Sequence, residues 1–189
     1  MNRWPFHTFR GQRGTFMRVT AANWHTVKKR VLEIEHKSFV RSIQESDRSL
    51  TRLALSPSAI FLVAFVAQET LVAYVMADEL EQFDDVPGVK SDPHFGRKDT
   101  IYLSSVAVEP EWRGRGIGVT AEQEVVAIAL RQGYSRVTAH IRSSARLGDR
   151  LSRKVLGTFS NWYDTGVPFD YVDLDIGKVA RRPGVRVHG

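Results

Sequence analysis

Hydrophobic and polar residues alternate over residues 15–21 (TFMRVTA), and that period of two predicts a strand. Asn23 stands where a helix would be capped, and Trp24, Val27, Val31 and Ile34 follow at 3-4-3 spacing, one helical stripe. Ser42-Ile43-Gln44-Glu45 matches a capping box and predicts a second helix that ends before Pro57. Two apolar runs, 59–67 and 71–77, flank Gln68-Glu69-Thr70 and read as an antiparallel hairpin buried on at least one face. Residues 79–98 break the pattern. They hold Glu79, Glu81, Asp84, Asp85 and Asp92 with Pro87, Gly88, Pro93 and Gly96, and read as a long acidic loop. An apolar strand is expected over 101–108. A loop dense in arginine and glycine follows, and then a helix to about Tyr134 with Ile117, Ala121, Val125 and Ile128 on one face. Residues 136–142 (RVTAHIR) read as a strand, 145–159 as an arginine-rich helix, and 169–176 (FDYVDLDI) as a strictly alternating strand.

The expected order is therefore β-α-α-β-β-β-α-β-α-β, an α/β (α+β) chain. Residues 15–176 form a single domain, preceded by a flexible basic arm (1–14) and followed by a basic tail (177–189). At 189 residues and 42% hydrophobic, the chain can bury a real core. No apolar run approaches the ~20 residues of a membrane helix, so no membrane partner is expected. With no cysteine, disulfides, thiolate metal sites and a cysteine nucleophile are excluded, and a cytoplasmic location is expected. The net charge of +6 admits nucleic acid or a small polyanion. Between the ends, the arginines gather at 113–115 and 142–154, beside the glycine loop, which favours the small ligand.

That loop has its own chemistry. The first N–H groups of a helix lack partners inside it and carry the positive end of the dipole. Gly114, Gly116 and Gly118 remove side chains that would keep a phosphate away, while Arg113 and Arg115 add forked cationic donors. A nucleotide P-loop would need Gly-Lys-Ser/Thr, which is absent, and the glycine spacing does not fit a dinucleotide fold.

The element order and Arg113-Gly114-Arg115-Gly116-Ile117-Gly118, which fits Arg/Gln-x-x-Gly-x-Gly/Ala, resemble the GCN5-related N-acetyltransferase (GNAT) superfamily, closest to its N-terminal and ribosomal-protein branch. The resemblance covers about residues 15–176. It implies a mixed central sheet splayed between the fourth and fifth predicted strands, and acetyl-CoA as co-substrate, with no metal. It assigns the cofactor's pyrophosphate to the backbone of Arg113, Gly114, Arg115, Gly116, Ile117, Gly118, Val119 and Thr120, and its pantetheine arm to Val106, Ala107 and Val108. The function implied is acetyl transfer to a primary amine, on a small molecule or a peptide, by direct attack in a ternary complex. An acyl-CoA-binding sensor or a nucleic-acid-associated module is the alternative, although no aromatic-basic recognition motif supports nucleic acid. A homodimer is allowed for.

Such a transfer needs a base for the amine, a donor for the oxyanion and a proton for the departing thiolate. By resemblance, His140 stands at the base position of the fifth predicted strand; a packed sheet histidine is the equal alternative. Tyr102 and Ser105 on the fourth predicted strand are the further catalytic candidates, against core aromatic and plain strand serine. The family's Asn-x-x-Ala…Tyr is not kept: Ala145 replaces the Asn, and Ser152 falls at the tyrosine position. Trp162-Tyr163 resembles the paired tyrosines that line the branch's substrate groove. The acidic loop could draw a cationic amine or simply be solvated.

Overall fold

The computed structural model describes residues 2–67, 69–144, 153–174 and 176. Its strands are β1 (Arg3–His7), β2 (Arg13–Arg18), β3 (Ile60–Val66), β4 (Thr70–Glu79), β5 (Thr100–Val108), β6 (Arg136–Arg142), β7 (Arg153–Phe159) and β8 (Phe169–Leu174). Its helices are α1 (Trp24–Ser38), α2 (Asp47–Leu55) and α3 (Ile117–Arg131). The eight strands follow the hydrogen-bonded order β1-β2-β3-β4-β5-β6-β8-β7, a mixed sheet. The chain divides into two units, Met1–Ala77 with Ser105–Val125, and Asp78–Ser104 with Val126–Gly189.

In the first unit, β1 to β4 form an antiparallel run. The predicted hairpin is present, from Ile60↔Ala77 to Val66↔Thr70, and every residue of β3 is buried. The stripe predicted for α1 is real: Trp24, Val27, Val31 and Ile34 are all buried, and Trp24 packs on Phe61 at 5.6 Å. Two local expectations change. Asn23 does not cap α1 with its side chain; its Oδ1 accepts from Thr20 N–H and its Nδ2 donates to the Arg18 carbonyl, tying the turn before the helix. Nor does Ser42 start the second helix. Residues Arg41–Ile43 make a 3-10 turn, and Ser46 caps α2 by accepting from Ser49 N–H at 3.1 Å. The start of the chain also differs. Residues 3–7, expected within an arm, form β1 and pair with β2 from Arg3↔Met17 to His7↔Arg13. The pairing is held by Phe6 on Phe16, with ring centroids 4.4 Å apart.

In the second unit, β5 and β6 run parallel from Thr100↔Arg136 to Leu103↔Ala139. β8 pairs antiparallel with β6 on one side and with β7 on the other. The helix expected over 145–159 is not what forms at its C-terminal half: Arg153–Phe159 is a strand. Val155, Thr158 and Phe159 favour the pleated state, Gly157 disfavours a helix, and β8 supplies the ladder. Ala145, Arg146, Arg150 and Ser152 lie outside the described residues, as do 177–189. The acidic segment is folded by two 3-10 turns, Leu80–Phe83 and Val89–Ser91, which bury Leu80, Phe83 and Val89. No helix among the described residues is long and apolar enough to cross a membrane.

Candidate functional site

The glycine loop joins residues 105–108 of β5, which belong to the first unit, to the start of α3. Glu109 follows β5 and caps a 3-10 turn, Pro110–Trp112, and α3 starts at Ile117. Gly114 and Gly116 adopt φ of 72° and 86°, which residues with a Cβ rarely tolerate. A Cβ on Gly116 would also stand 2.6 Å from the Phe9 ring, because the turn between β1 and β2 lays Phe9 against it. Gly118 lets the helix start lie on the strand: a Cβ there would already touch Val108 at 3.4 Å and Val106 at 3.6 Å. The first-turn amides of α3 are thus held beside the end of β5, while Thr120 closes the turn by donating its N–H and its hydroxyl to the Gly116 carbonyl, each at 3.0 Å.

The loop is anchored through Glu109. This carboxylate is almost fully buried, and it accepts from Arg30 Nη2 at 2.7 Å and from Lys37 Nζ at 2.6 Å. Its N–H donates to the Val72 carbonyl at 2.8 Å. Two cations from α1 therefore fix the point where strand becomes loop. Arg113 turns back, donating to the Val108 carbonyl and to Ser38, and Arg115 lies over the Trp112 ring at 4.6 Å. Both arginines stay at the loop expected from the sequence to bind an anion.

Ser105 belongs to the same unit and is buried. Its Oγ lies 3.3 Å from the Tyr74 hydroxyl of β4, which in turn donates to the Glu35 carboxylate of α1. Glu35 and Tyr74 are polar groups of the core that the sequence reading passed over. A signal existed for Glu35: it sits four residues after Val31, on the buried stripe of α1, where a carboxylate is out of place.

His140 and Tyr102 come together in the second unit. The Tyr102 hydroxyl and His140 Nδ1 are 2.8 Å apart. The imidazole stacks between Trp162, at 4.1 Å, and Tyr171, at 4.7 Å, with Phe159 edge-on at 5.2 Å. Burial pushes its pKa down to about 3, and the Pro87 carbonyl offsets this only in part. His140 is therefore neutral throughout the physiological range, which suits holding a hydroxyl better than taking up a proton. Nε2 is buried and lacks a well-formed hydrogen bond. Trp162 is buried in this aromatic group, whereas Tyr163 is exposed and adopts φ 44°.

The acidic segment uses much of its charge internally. Asp92 is buried, paired with Arg136 at 2.7 Å and accepting from the Tyr171 hydroxyl at 2.6 Å. Glu81 accepts from the Gly96 and Lys98 amides, and Glu79 accepts from the Tyr134 hydroxyl. Among the described residues no cluster of side chains could hold a metal ion.

Residues 28–157, which include this strand, glycine turn and helix start, match a family profile, that of the acetyltransferase (GNAT) family. The chain belongs to the acetyltransferase (GNAT) family. Acetyl transfer is that family's activity, and acetyl-CoA its donor. No curated protein sequence matches the chain. Its fold is similar to that of the ribosomal-protein-S18-alanine N-acetyltransferase from Escherichia coli, with TM-score 0.63, 13% identity, and coverage of 93% of this chain and 99% of that one. It is similar to the GNAT domain of S. lividans PAT, with TM-score 0.62, 15% identity, and coverage of 91% and 97%. It is also similar to the GNAT-like decarboxylase GphF in complex with isobutyryl-CoA, with TM-score 0.61, 14% identity, and coverage of 85% and 98%. At these identities the likeness is one of fold.

Proposed function

We propose that this acetyltransferase moves an acetyl group from acetyl-CoA to a primary amine, a peptide N-terminus before a small molecule, by direct attack within a ternary complex. The observation that carries the proposal is the loop from Glu109 to Thr120. Gly114 and Gly116 sit at positive φ, Gly118 lies close on Val106 and Val108, and the strand end is pinned by Arg30 and Lys37. In this reading the amides of 113–120 take the pyrophosphate, and Val106, Ala107 and Val108 pair with the pantetheine arm. No step needs a covalent enzyme intermediate, so the absence of cysteine is no obstacle, and it favours a cytoplasmic site of action.

Ser105, in the unit that carries the loop, serves the reacting groups with its hydroxyl, and Tyr102 is the hydroxyl candidate of the other unit. His140 acts through Tyr102: a neutral imidazole that keeps its Nε2 proton accepts a hydrogen bond from the Tyr102 hydroxyl at Nδ1 and orients it. The fold likeness to an alanine N-acetyltransferase supports a peptide acceptor.

Calorimetric titration with acetyl-CoA, followed by thiol release against a panel of N-terminal peptides, lysine peptides, polyamines and aminoglycosides, tests the proposal. Micromolar binding, abolished by Gly116→Glu, with turnover on one amine class is expected. Lack of binding, or a Gly116→Glu variant that binds as well as the parent, sinks it.

A further inference from the structure

The first unit contains a buried chain of three hydroxyl and carboxyl groups that the glycine loop does not use. Tyr74 donates its hydroxyl proton to Glu35 Oε2. The Ser105 Oγ lies 3.3 Å from the same hydroxyl. Glu45 N–H donates to the other carboxylate oxygen, Oε1, at 2.6 Å. Glu35 is fully buried, Tyr74 is 1% exposed and Ser105 8%.

The direction of the chain follows from counting protons. Tyrosine has one hydroxyl proton, and it is committed to Glu35. Ser105 must then donate to Tyr74, so every donor points toward the carboxylate. That leaves the lone pairs of Ser105 Oγ as acceptors. Ser105 directly precedes Val106, Ala107 and Val108, the strand assigned to the pantetheine arm. The open end of the chain thus lies at the strand that would carry the thioester.

The geometry points to Glu35 as the terminal acceptor, through Tyr74 and Ser105, of the proton that leaves the acceptor amine. The assignment rests on the acetyltransferase reading of the loop. As the C–N bond forms and the C–S bond breaks, the nitrogen proton passes to Ser105 Oγ. The Ser105 proton passes to Tyr74 and the Tyr74 proton to Glu35, which becomes a neutral carboxylic acid. The proton returns along the same groups to the departing thiolate or to water, restoring the carboxylate. Nothing is oxidised or reduced, and the net products are the amide and free CoA. Tyr74 and Glu35 act through Ser105, so they are positioning residues, and Ser105 is the one that meets substrate.

Two observations argue for an acid here rather than a packing group. The titratable and charged groups facing Glu35 are Tyr74 from β4 and the Glu45 carboxylate before α2, with Ser105 of β5 reached through Tyr74, and the partners that bond to it are neutral donors. Burial first, and the Glu45 charge second, raise its pKa to about 7, against the partial offset of the Glu45 N–H. The carboxylate is thereby poised to gain and lose a proton near neutrality. A glutamine of the same shape would behave differently. Its carbonyl would still accept from Glu45 N–H, but its amide would donate to Tyr74, and Tyr74 would then donate to Ser105. Glu35→Gln therefore reverses the chain while keeping its atoms in place.

The test is the pH dependence of kcat for the parent, Glu35→Gln, Tyr74→Phe and Ser105→Ala, with acetyl-CoA affinity measured on each. The parent is expected to gain activity up to about pH 7 and then to level off. Glu35→Gln should lose about 10²-fold in kcat, the scale of one general base, together with the inflection, while binding acetyl-CoA within about twofold. Tyr74→Phe should do the same, and the double variant should be no worse than either single one. Ser105→Ala breaks the chain at its open end with the smallest change to the core, and a fall of similar size is expected. If the parent binds acetyl-CoA and turns over while Glu35→Gln keeps both rate and inflection, the relay is overturned and the acetyltransferase reading stands. If the parent does not bind acetyl-CoA at all, both fall.

Discussion

Arg136 donates Nη1 to Asp92 Oδ1 at 2.7 Å, with the Asp92 side chain sealed from solvent and the Arg136 side chain only 9% exposed. The same guanidinium donates Nε to Asp173 Oδ2 at 2.8 Å, and Tyr171 closes the other side of Asp92. An aspartate from the acidic segment is therefore a structural member of the second unit. Asp92→Ala leaves a buried guanidinium with one carboxylate fewer, and the expected loss is about 3–5 kcal/mol. Tyr171→Phe removes one donor and should cost about 1 kcal/mol. Denaturant unfolding of the two variants checks this. Equal small losses would mean that Asp92 is not the hub of the network.

The acidic segment shows what a sequence can carry. Acidity at 79–98 was visible, but its use was not, because Asp92 meets a residue 44 positions away. The stripe of α1, the β3–β4 hairpin and the glycine loop were legible because each is a local pattern: a period, a pair of apolar runs, a set of positions that need positive φ. β7 was missed because Arg153–Phe159 owes its state to the β8 ladder, while the arginines around it read as a helix face. β1 was missed because Pro5 argues against a strand; β1 is an edge strand, where a proline removes no ladder donor that a neighbour needs. The Glu35–Tyr74–Ser105 chain joins three elements across 39 and 31 positions, and only the misplaced carboxylate on α1 hinted at it.

The meeting of Gly116 and Phe9 is open to a double-variant cycle. Gly116→Ala faces two costs: a left-handed backbone, about 1–2 kcal/mol, and a clash with the Phe9 ring. Phe9→Ala alone should cost little, because Phe9 is 53% exposed. The double variant should recover the steric part and keep the backbone part. Its stability should exceed the sum of the single effects by more than about 0.5 kcal/mol in thermal unfolding. Strict additivity would mean that the ring does not lie on Gly116 in solution.

Glu109 lets the anchoring of the loop be separated from its ligand contacts. Glu109→Gln keeps the size and one acceptor but removes the charge facing Arg30 and Lys37. Both cations are partly exposed, so water screens them, and a loss of about 1–3 kcal/mol is expected. Because the carboxylate holds the loop rather than touching phosphate, acetyl-CoA affinity should weaken severalfold through loop disorder, and 1 M salt should narrow the stability gap, the Debye length there being about 3 Å. A variant with parental stability and affinity would show that the two ion pairs do not anchor the loop.

Two buried groups give opposite pH dependences of stability. Glu35 has its pKa raised from 4.5 to about 7, chiefly by burial, so between these values the folded chain holds a proton that the unfolded chain has lost. Its contribution therefore falls as pH rises through that window, by about 1.4 kcal/mol per pH unit. His140 has its pKa lowered from 6.5 to about 3, again chiefly by burial, so between those values the unfolded chain holds the extra proton. Its contribution rises with pH at about the same slope, and is lost as pH falls below 6.5. From pH 4.5 to 6.5 the two slopes oppose each other and should nearly cancel. Removing either group exposes the other. Glu35→Gln should show a denaturant midpoint that climbs with pH across this window, and His140→Phe one that declines. Midpoints from urea unfolding at half-unit pH steps, with the m value unchanged, make the comparison. Parallel curves for parent and both variants would mean that neither group is desolvated in the folded chain.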